Sequence, residues 1–219
     1  MTGGCRPAAR FCQHRPVPTR LLMVRHGEST WNAAGVWQGQ ADPPLSPAGA
    51  QQARAAAVRL AGAGLTSAVA SDLRRARETA EIVAAALGLG TVRLEQGLRE
   101  IDVGNWCGLT RPQIEEGWPG QLQAWREGRL ACPPGGETRA SLTRRALEAT
   151  GRLAVAPELG ERPLVVTHGG VVRAIVRHLG QDPGPVENLS GRWIDVGPDG
   201  TLVPGDPFDL EGEQAPTVP

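Results

Sequence analysis

The chain has 219 residues, of which 40% are apolar and 21% are charged, a size and composition typical of one globular domain with a substantial core. Its 23 basic and 23 acidic residues cancel, so no global field predicts binding to nucleic acid, and no apolar run approaches the roughly 20 residues of a membrane-spanning helix. Every basic residue is arginine, and the absence of lysine excludes Schiff-base chemistry, a phosphate-binding P-loop lysine and kinase chemistry.

The two ends of the chain differ in composition from its centre. Residues 1–19 contain proline, glycine and arginine but lack the apolar segment of a secretory signal, and we predict a flexible basic tail. Residues 205–219 are rich in proline, glycine and acidic side chains, and we predict a second loose tail there. A single domain is therefore expected over residues 20–204.

Between the tails, short apolar runs alternate with segments of helical pattern. Residues 21–24 have the continuous apolar character of a buried parallel strand, and Ser46-Pro47 is typical of a helix start, with an N-cap followed by proline. The predicted strands are residues 21–24, 66–70, 91–94 and 164–166, with a closing hairpin of 192–196 and 201–203. The predicted helices are 47–61, 74–87, 137–156 and 170–179. This alternation predicts an α/β domain with a mainly parallel sheet.

Four cysteines are scattered without a C-x-x-C pair, as is typical of reduced, incidental thiols in a cytoplasmic protein. They are Cys5, Cys12, Cys107 and Cys132. The spacing of Cys5, Cys12 and His14 matches no standard zinc site, so we predict no metal there.

Reactive side chains follow three of the predicted strands. Arg25-His26 follows the first strand, Arg75 comes shortly after the second, and His168 follows the fourth; each histidine is succeeded by glycine. Ligands of open α/β sheets bind beyond the carboxyl ends of the strands, so these side chains are expected to converge at one edge. Two imidazoles and two guanidiniums, with glycines that permit close approach, predict an oxyanion site.

The absence of other phosphate-chemistry motifs narrows the mechanism. No cysteine has an arginine six positions later, and D-x-D, H-E-x-x-H and G-x-S-x-G are also missing. Histidine is itself a competent covalent catalyst. The leading mechanism is therefore attack of the neutral His26 imidazole on phosphorus, and the transferring phosphoryl group would be held by Arg25, Arg75 and His168.

A series of ordered motifs resembles one known family. The motifs are LLMVRHGESTWN at residues 21–32, QGQ at 38–40, LSPAG at 45–49, SDLRRARETA at 71–80, LREIDVGNWCG at 98–108 and VVTHGG at 165–170. Together they resemble the histidine phosphatase superfamily, also called phosphoglycerate mutase-like, over residues 20–196. The resemblance implies a three-layer sandwich in which a mainly parallel open sheet carries helices on both faces.

The resemblance also implies roles for individual residues. His26 corresponds to the nucleophile that becomes phosphorylated. Arg25, Arg75 and His168 correspond to the phosphate pocket. Glu100 corresponds to the acid that protonates the leaving oxygen, and an alkoxide leaving group needs such an acid nearby. The residues expected on the substrate side are Asn32, Gln38, Gly39, Arg77 and Gly169. Neither a metal nor a cofactor is implied.

The family contains both phosphoglycerate mutases and phosphatases. The mutases carry a segment with tyrosine and lysine after the acid, which this chain lacks because it has neither residue type. We therefore expect a metal-independent phosphomonoester hydrolase for a small metabolite, a sugar or sugar-acid phosphate. Residues 105–136 would form a substrate cap, in which Trp118, Trp125 and Arg126 either contact the substrate or simply pack. Mutase-type phosphoryl transfer and a catalytically silent phosphate-binding regulatory module remain as alternatives.

The other histidines and arginines near the motifs are given structural roles. His14 and His178 are interpreted as structural histidines, and Arg74, Arg173 and Arg177 as surface side chains. We expect a cytoplasmic monomer or homodimer whose partner is a small phosphorylated metabolite, with no nucleic-acid or membrane partner.

Overall fold

A computed structural model describes residues 18–209 and contains a six-stranded sheet. The strands are β1 (Arg20–Arg25), β2 (Ser67–Ala70), β3 (Arg93–Leu94), β4 (Pro163–Thr167), β5 (Gly191–Val196) and β6 (Leu202–Phe208). Their order is β3-β2-β4-β1-β5-β6; the first four are parallel, and β5 and β6 join by antiparallel pairing. The expected mainly parallel sheet is confirmed. Residues 1–17 and 210–219, which include His14 and most of both predicted tails, lie outside the described residues.

Helices cover both faces of the sheet. They are α1 (Thr30–Ala33), α2 (Pro47–Leu60), α3 (Arg74–Leu87), α4 (Arg111–Gly117), α5 (Gln121–Arg126), α6 (Arg139–Ala154) and α7 (Gly169–His178). Side chains of β1 alternate between two cores: Leu21 and Met23 pack with residues of α6 and α7, and Leu22 and Val24 with residues of α2 and α3. The result is the expected three-layer sandwich. No helix within residues 18–209 has the length and apolar character needed to cross a membrane.

The two central strands bring the predicted reactive residues to one edge. β1 and β4 pair in parallel, with Arg25 opposite Thr167, and the backbone N–H of His26 donates to the carbonyl oxygen of Thr167 at 2.9 Å. Because parallel strands end at the same edge of a sheet, His26 and His168 follow neighbouring carboxyl ends. The strand register alone therefore places the two histidines side by side.

Local capping sets the helix boundaries. The Ser46 hydroxyl accepts a backbone hydrogen bond at the start of α2, where a proline takes the first helical position as predicted. Helix α3 ends at Gly88, whose φ of 68° suits glycine. Helix α6 begins at Arg139 rather than at residue 137, because the Thr138 hydroxyl caps it.

The closing hairpin is longer than predicted. The sequence analysis placed its second strand at 201–203 and a loose tail from residue 205, but β6 extends to Phe208. Pro204 and Pro207 concealed this strand, since proline is acceptable on a sheet edge but is usually a sign of a strand end. Phe208 is only 7% exposed and packs in the core, which anchors the end of the strand.

The segment predicted as a cap carries the short helices α4 and α5 and packs through aromatic side chains. Trp106 is fully buried, and Trp37, Trp106 and Trp125 contact one another edge to face, with ring centroids 5.8 to 5.9 Å apart. Trp118 is partly buried against the same core. Trp106 and Trp118 therefore stabilise the segment by packing.

Candidate active site

His26 lies at the carboxyl end of β1 and is 3% exposed. Its Nδ1 donates a hydrogen bond to the carbonyl oxygen of Gly27 at 2.6 Å, so the neutral ring keeps its proton on that atom. Nε2 then carries the lone pair that nucleophilic attack requires. Burial lowers the pKa of His26 well below 6.5, and Arg75 and Arg25 lower it further, so the imidazole is uncharged at neutral pH.

Arg75, on α3, places a fixed positive charge beside that lone pair. Its Nε donates to Nε2 of His26 at 3.2 Å, and its two terminal nitrogens donate to the carbonyl oxygens of Ala41 and Gly39 at 2.7 and 2.9 Å. Burial lowers the pKa of Arg75 to about 10, which leaves the side chain protonated at neutral pH. The guanidinium is therefore held before any substrate arrives.

Arg25 supplies a second guanidinium from the last position of β1. Its Nη1 donates to the carbonyl oxygen of Val186 at 3.0 Å. Burial lowers the pKa of Arg25, an effect opposed by the carboxylate of Glu100. Asn188 contributes from the same loop, since its Nδ2 donates to the backbone oxygen of His26 at 2.8 Å. The sequence analysis missed Asn188, which bears no motif and acts on the backbone.

His168 is fully buried beside His26, with the two ring centroids 5.1 Å apart. Its Nε2 lies 2.9 Å from the Ser71 hydroxyl, which also receives the backbone N–H of Leu73 at 3.4 Å. Ser71 can therefore donate to Nε2, which puts the proton of the neutral ring on Nδ1. Nδ1 is buried and has no hydrogen-bond partner among residues 18–209, so it is free to donate to a phosphate oxygen. Burial lowers the pKa of His168 well below 6.5.

The Glu100 carboxylate is anchored by two backbone amides. Oε1 accepts the N–H of Ile101 at 2.8 Å, and Oε2 accepts the N–H of Gly170 at 3.0 Å, in the first turn of α7. A Cβ on Gly170 would clash with Oε1, so glycine lets the carboxylate take this position at the amide. Arg145 donates to the Glu100 carbonyl oxygen at 2.9 Å and pairs with Glu137 through two nitrogens. Arg145 was missed because nothing distinguishes it from the other arginines of α6.

Four of the predicted substrate-side residues line the same cavity as His26, namely Asn32, Gln38, Gly39 and Gly169. Ser29 orients two of them, since its hydroxyl lies 3.1 Å from Oδ1 of Asn32 and donates to Oε1 of Gln38 at 2.8 Å. The cavity has a volume of about 770 Å³. The part of the cavity around His26, Arg25 and Arg75 is here called the floor. It combines the nucleophile with amide side chains and backbone.

The fifth predicted substrate-side residue, Arg77, is not brought to the cavity. Its side chain is 41% exposed on α3, with Nε 3.8 Å from a carboxylate oxygen of Glu81. Arg74 lies on the surface of the same helix as predicted, paired with Glu78. Of the three motif arginines on α3, only Arg75 faces the nucleophile.

The other part of the cavity, here called the outer half, is formed by side chains of α5, α6 and α7. Its members are Trp125, Arg126, Arg139, Leu142, Thr143, Arg173, Ala174, Arg177 and His178. Arg173 and Arg177 were predicted as surface residues and His178 as a structural one. Arg177 is exposed as predicted, Arg173 is half-buried and His178 is exposed, and all three line the cavity. The sequence did carry a signal: Gly169, Arg173 and Arg177 repeat every four residues and so share one helix face.

A neutral imidazole backed by fixed guanidiniums suits a transferring phosphoryl group, whose charge lies on its equatorial oxygens. Within the described part of the chain, no three histidine, cysteine, aspartate or glutamate side chains are grouped as metal ligands would be. A model of the histidine phosphatase superfamily (branch 1) matches residues 21–192. The chain belongs to this superfamily.

Individual members of the histidine phosphatase superfamily align over most of their length. Glucosyl-3-phosphoglycerate phosphatase of Mycobacterium tuberculosis is 41% identical over 193 residues, which cover 80% of this chain and 86% of that protein. A probable phosphoglycerate mutase of Salmonella paratyphi B is 39% identical, with 72% and 73% covered. A solved structure of mycobacterial glucosyl-3-phosphoglycerate phosphatase complexed with VO3 has a TM-score of 0.74 and 36% identity, with 85% and 96% covered.

These comparisons confirm the family and the fold that the motifs implied. The chain is a histidine phosphatase-type enzyme, and its sheet and helices match those of the solved relatives. The family match includes β1, with the nucleophile candidate, and β4, with the second histidine.

Proposed function

We propose that the protein hydrolyses a phosphate monoester of a sugar or sugar acid through a phosphohistidine on His26. The observation that carries this proposal is the state of that ring: buried, uncharged, and fixed by Gly27 so that Nε2 is the unprotonated nitrogen. A nucleophile prepared in this way needs no separate base.

In the first step, Nε2 of His26 forms a bond to phosphorus while the bond from phosphorus to the leaving oxygen breaks. Arg25, Arg75 and the Nδ1 proton of His168 stabilise the negative charge on the equatorial oxygens. The leaving oxygen takes a proton from the carboxyl group of Glu100. The product of this step is a free alcohol and a phosphohistidine.

In the second step, a water molecule attacks the phosphohistidine. Glu100, now a carboxylate, accepts a proton from that water, and the bond from nitrogen to phosphorus breaks. Inorganic phosphate leaves, and both His26 and Glu100 return to their starting protonation states. The two amide hydrogen bonds from Ile101 and Gly170 support this role because they fix the carboxylate at the cavity wall.

The substrate class is supported by the relatives and by the cavity. A relative with 41% identity is named glucosyl-3-phosphoglycerate phosphatase, and a volume of about 770 Å³ accommodates a phosphorylated sugar. The cap helix α5 contributes Trp125 and Arg126 to this cavity. Residues 105–136 therefore select the leaving group in this proposal.

The relative named as a probable phosphoglycerate mutase supports phosphoryl transfer as a second candidate. Hydrolysis is preferred because the chain has neither the tyrosine nor the lysine with which the mutases hold phosphoglycerate. Incubation with 3-phosphoglycerate, with and without 2,3-bisphosphoglycerate, separates the two, since a mutase forms the 2-isomer and a hydrolase releases phosphate.

Rapid-quench labelling tests the proposal directly. Wild-type enzyme mixed with a ³²P-labelled ester should acquire acid-labile phosphate, and His26→Ala should acquire none and lose turnover by about 10⁴-fold or more. Addition of EDTA should leave the wild-type rate unchanged. Labelled His26→Ala protein, or a wild type inactive on a broad panel of esters, would contradict the mechanism; the second result would favour the silent regulatory module.

A further inference from the structure

The outer half of the cavity has a strongly positive character that the transfer of one phosphoryl group does not require. Arg126, Arg139, Arg173 and Arg177 line it, in addition to Arg25 and Arg75 on the floor. The only acidic residue among all the lining residues is Glu100, although the whole chain has a formal net charge of zero. The enzyme therefore concentrates positive charge in the cavity.

Two of these arginines form a row on α7 that begins at the reaction centre. Gly170 contacts Glu100, and Arg173 and Arg177 follow on the same face, one and two turns further along the helix. At a rise of 1.5 Å per residue, their backbones lie about 4.5 and 10.5 Å from that of Gly170. An anion bound between them would therefore lie within about two helical turns of Gly170, which contacts Glu100.

A third arginine faces this row from α6 and is held in a fixed position. The guanidinium carbon of Arg139 lies 4.7 Å from the ring centroid of Trp125, and Nη2 donates to the Trp125 carbonyl oxygen at 2.6 Å. Burial lowers the pKa of Arg139, and the charges of Arg177 and Arg173 lower it further. The charges of Arg173 and Arg177 therefore act on Arg139 across the cavity that all three line.

No carboxylate in the described part of the chain relieves this repulsion. Arg173 and Arg177 make no hydrogen bond or ion pair with other residues between 18 and 209, whereas Arg145, near the middle of α6, pairs with Glu137. Uncompensated guanidiniums facing a cavity are an arrangement that binds carboxylate or phosphate. The missing counter-charge is best supplied by the substrate.

We propose that Arg139, Arg173 and Arg177 form a second anion subsite, so that the preferred substrate is a phosphate ester with an additional carboxylate or phosphate group. This inference rests on the proposed function and narrows its substrate class from sugar phosphates in general to doubly anionic esters. The floor of the cavity binds the phosphate that is transferred. The outer half binds the group that stays on the alcohol.

The test compares pairs of substrates that differ in the second anion. The kcat/KM of wild type should be about tenfold or more higher for 3-phosphoglycerate than for glycerol 3-phosphate, or for fructose 1,6-bisphosphate than for fructose 6-phosphate. The first pair tests a carboxylate and the second a phosphate. Arg177→Gln should reduce this preference in part, and the double variant Arg173→Gln/Arg177→Gln should abolish it.

Arg144→Gln is the matched control, since Arg144 is exposed on α6, pairs with Glu148 and lies outside the cavity. It removes the same charge and should leave the preference unchanged. Hydrolysis of p-nitrophenyl phosphate, an ester without a second anion, distinguishes a failure of the subsite from a failure of the proposed function. Wild type that cleaves this ester but shows no preference within either pair overturns the subsite alone. Wild type that does not cleave any of the esters overturns the proposed function. A uniform loss on all esters in Arg177→Gln would overturn the subsite.

Discussion

The floor and the outer half of the cavity are both rich in arginine, but they are built in opposite ways. On the floor, Arg75 is 1% exposed, and each of its nitrogens has a partner within the protein. In the outer half, Arg177 is exposed and has no such partner among the described residues. The floor is therefore complete before the substrate binds, whereas the outer half is completed by it.

This difference separates catalysis from selection. Fixed charges stabilise a transition state without reorganisation, so a preorganised floor suits the step common to all phosphate esters. Arginines without a partner in the described part of the protein are available to the group that remains on the alcohol. Substitutions on the floor should consequently impair all esters alike, and substitutions in the outer half should impair only some.

The largest expected effect tests whether a substitution on the floor impairs all esters alike. Arg75→Gln should lower kcat/KM on the order of 10²–10³-fold, because it removes a charge that faces both Nε2 of His26 and the phosphoryl oxygens. The loss should be the same for p-nitrophenyl phosphate, glycerol 3-phosphate and 3-phosphoglycerate. Steady-state kinetics on these three esters provides the measurement.

Arg74→Gln provides the control for this substitution. Arg74 precedes Arg75 on α3, is 49% exposed and pairs with Glu78, so its removal should change kcat/KM by less than about twofold. A loss in Arg75→Gln confined to doubly anionic esters would show that the floor also selects, and the contrast between the two halves would fail.

A smaller effect is expected at the boundary between the two halves. Gly170→Ala places a methyl group closer to Oε1 of Glu100 than van der Waals contact allows, so the carboxylate must shift from its position at the first turn of α7. A displaced acid should slow esters with poor leaving groups by about 10–100-fold and p-nitrophenyl phosphate much less. Glu100→Gln should show the same pattern with a larger amplitude.

The control here is Gly151→Ala on α6, where an added Cβ meets no atom within 4 Å. Alanine at that helical position should leave kcat/KM unchanged and raise the free energy of unfolding by about 0.5–1 kcal/mol. Equal losses on good and poor leaving groups in Gly170→Ala would argue against Glu100 as the proton donor.

The same contrast explains what could be predicted from the sequence. His26 and His168 were identifiable because each directly follows a short apolar strand, and parallel pairing brings such positions together without any knowledge of side-chain packing. Four of the five expected substrate-side residues also reached the cavity: Asn32 on α1, Gln38 and Gly39 on the loop after it, and Gly169 at the start of α7. Strand topology sufficed for Arg25, Arg75 and the two histidines, whereas the amide and glycine positions came from the family resemblance.

The outer half depends on how α5 and α6 pack against α7, and a single sequence does not contain this information. Arg173 and Arg177 have the spacing of a solvated helix face, and Arg77 has the position of a motif residue, yet the first two line the cavity and Arg77 does not. The extent of β6 was concealed for a related reason, since Phe208 becomes a strand residue only through a core contact distant in sequence.

The smallest expected effect concerns stability and tests whether the floor is as buried as the contrast requires. Burial lowers the pKa of His26 and of His168 well below 6.5. In the unfolded chain both rings take up protons near pH 6.5, so the native state has its full stability above that pH and loses it as the pH falls. The free energy of unfolding should drop by up to about 1.4 kcal/mol per pH unit for each histidine, as measured by urea denaturation at pH 7.5, 6.5 and 5.5. His26→Asn should remove the contribution of one histidine, up to about 1.4 kcal/mol per pH unit, from this dependence. The carboxylates titrate in both proteins, so their contribution cancels in the comparison. An unchanged slope in His26→Asn would mean that this ring is protonated equally in both states, and neither the neutral nucleophile nor the preorganised floor would then stand.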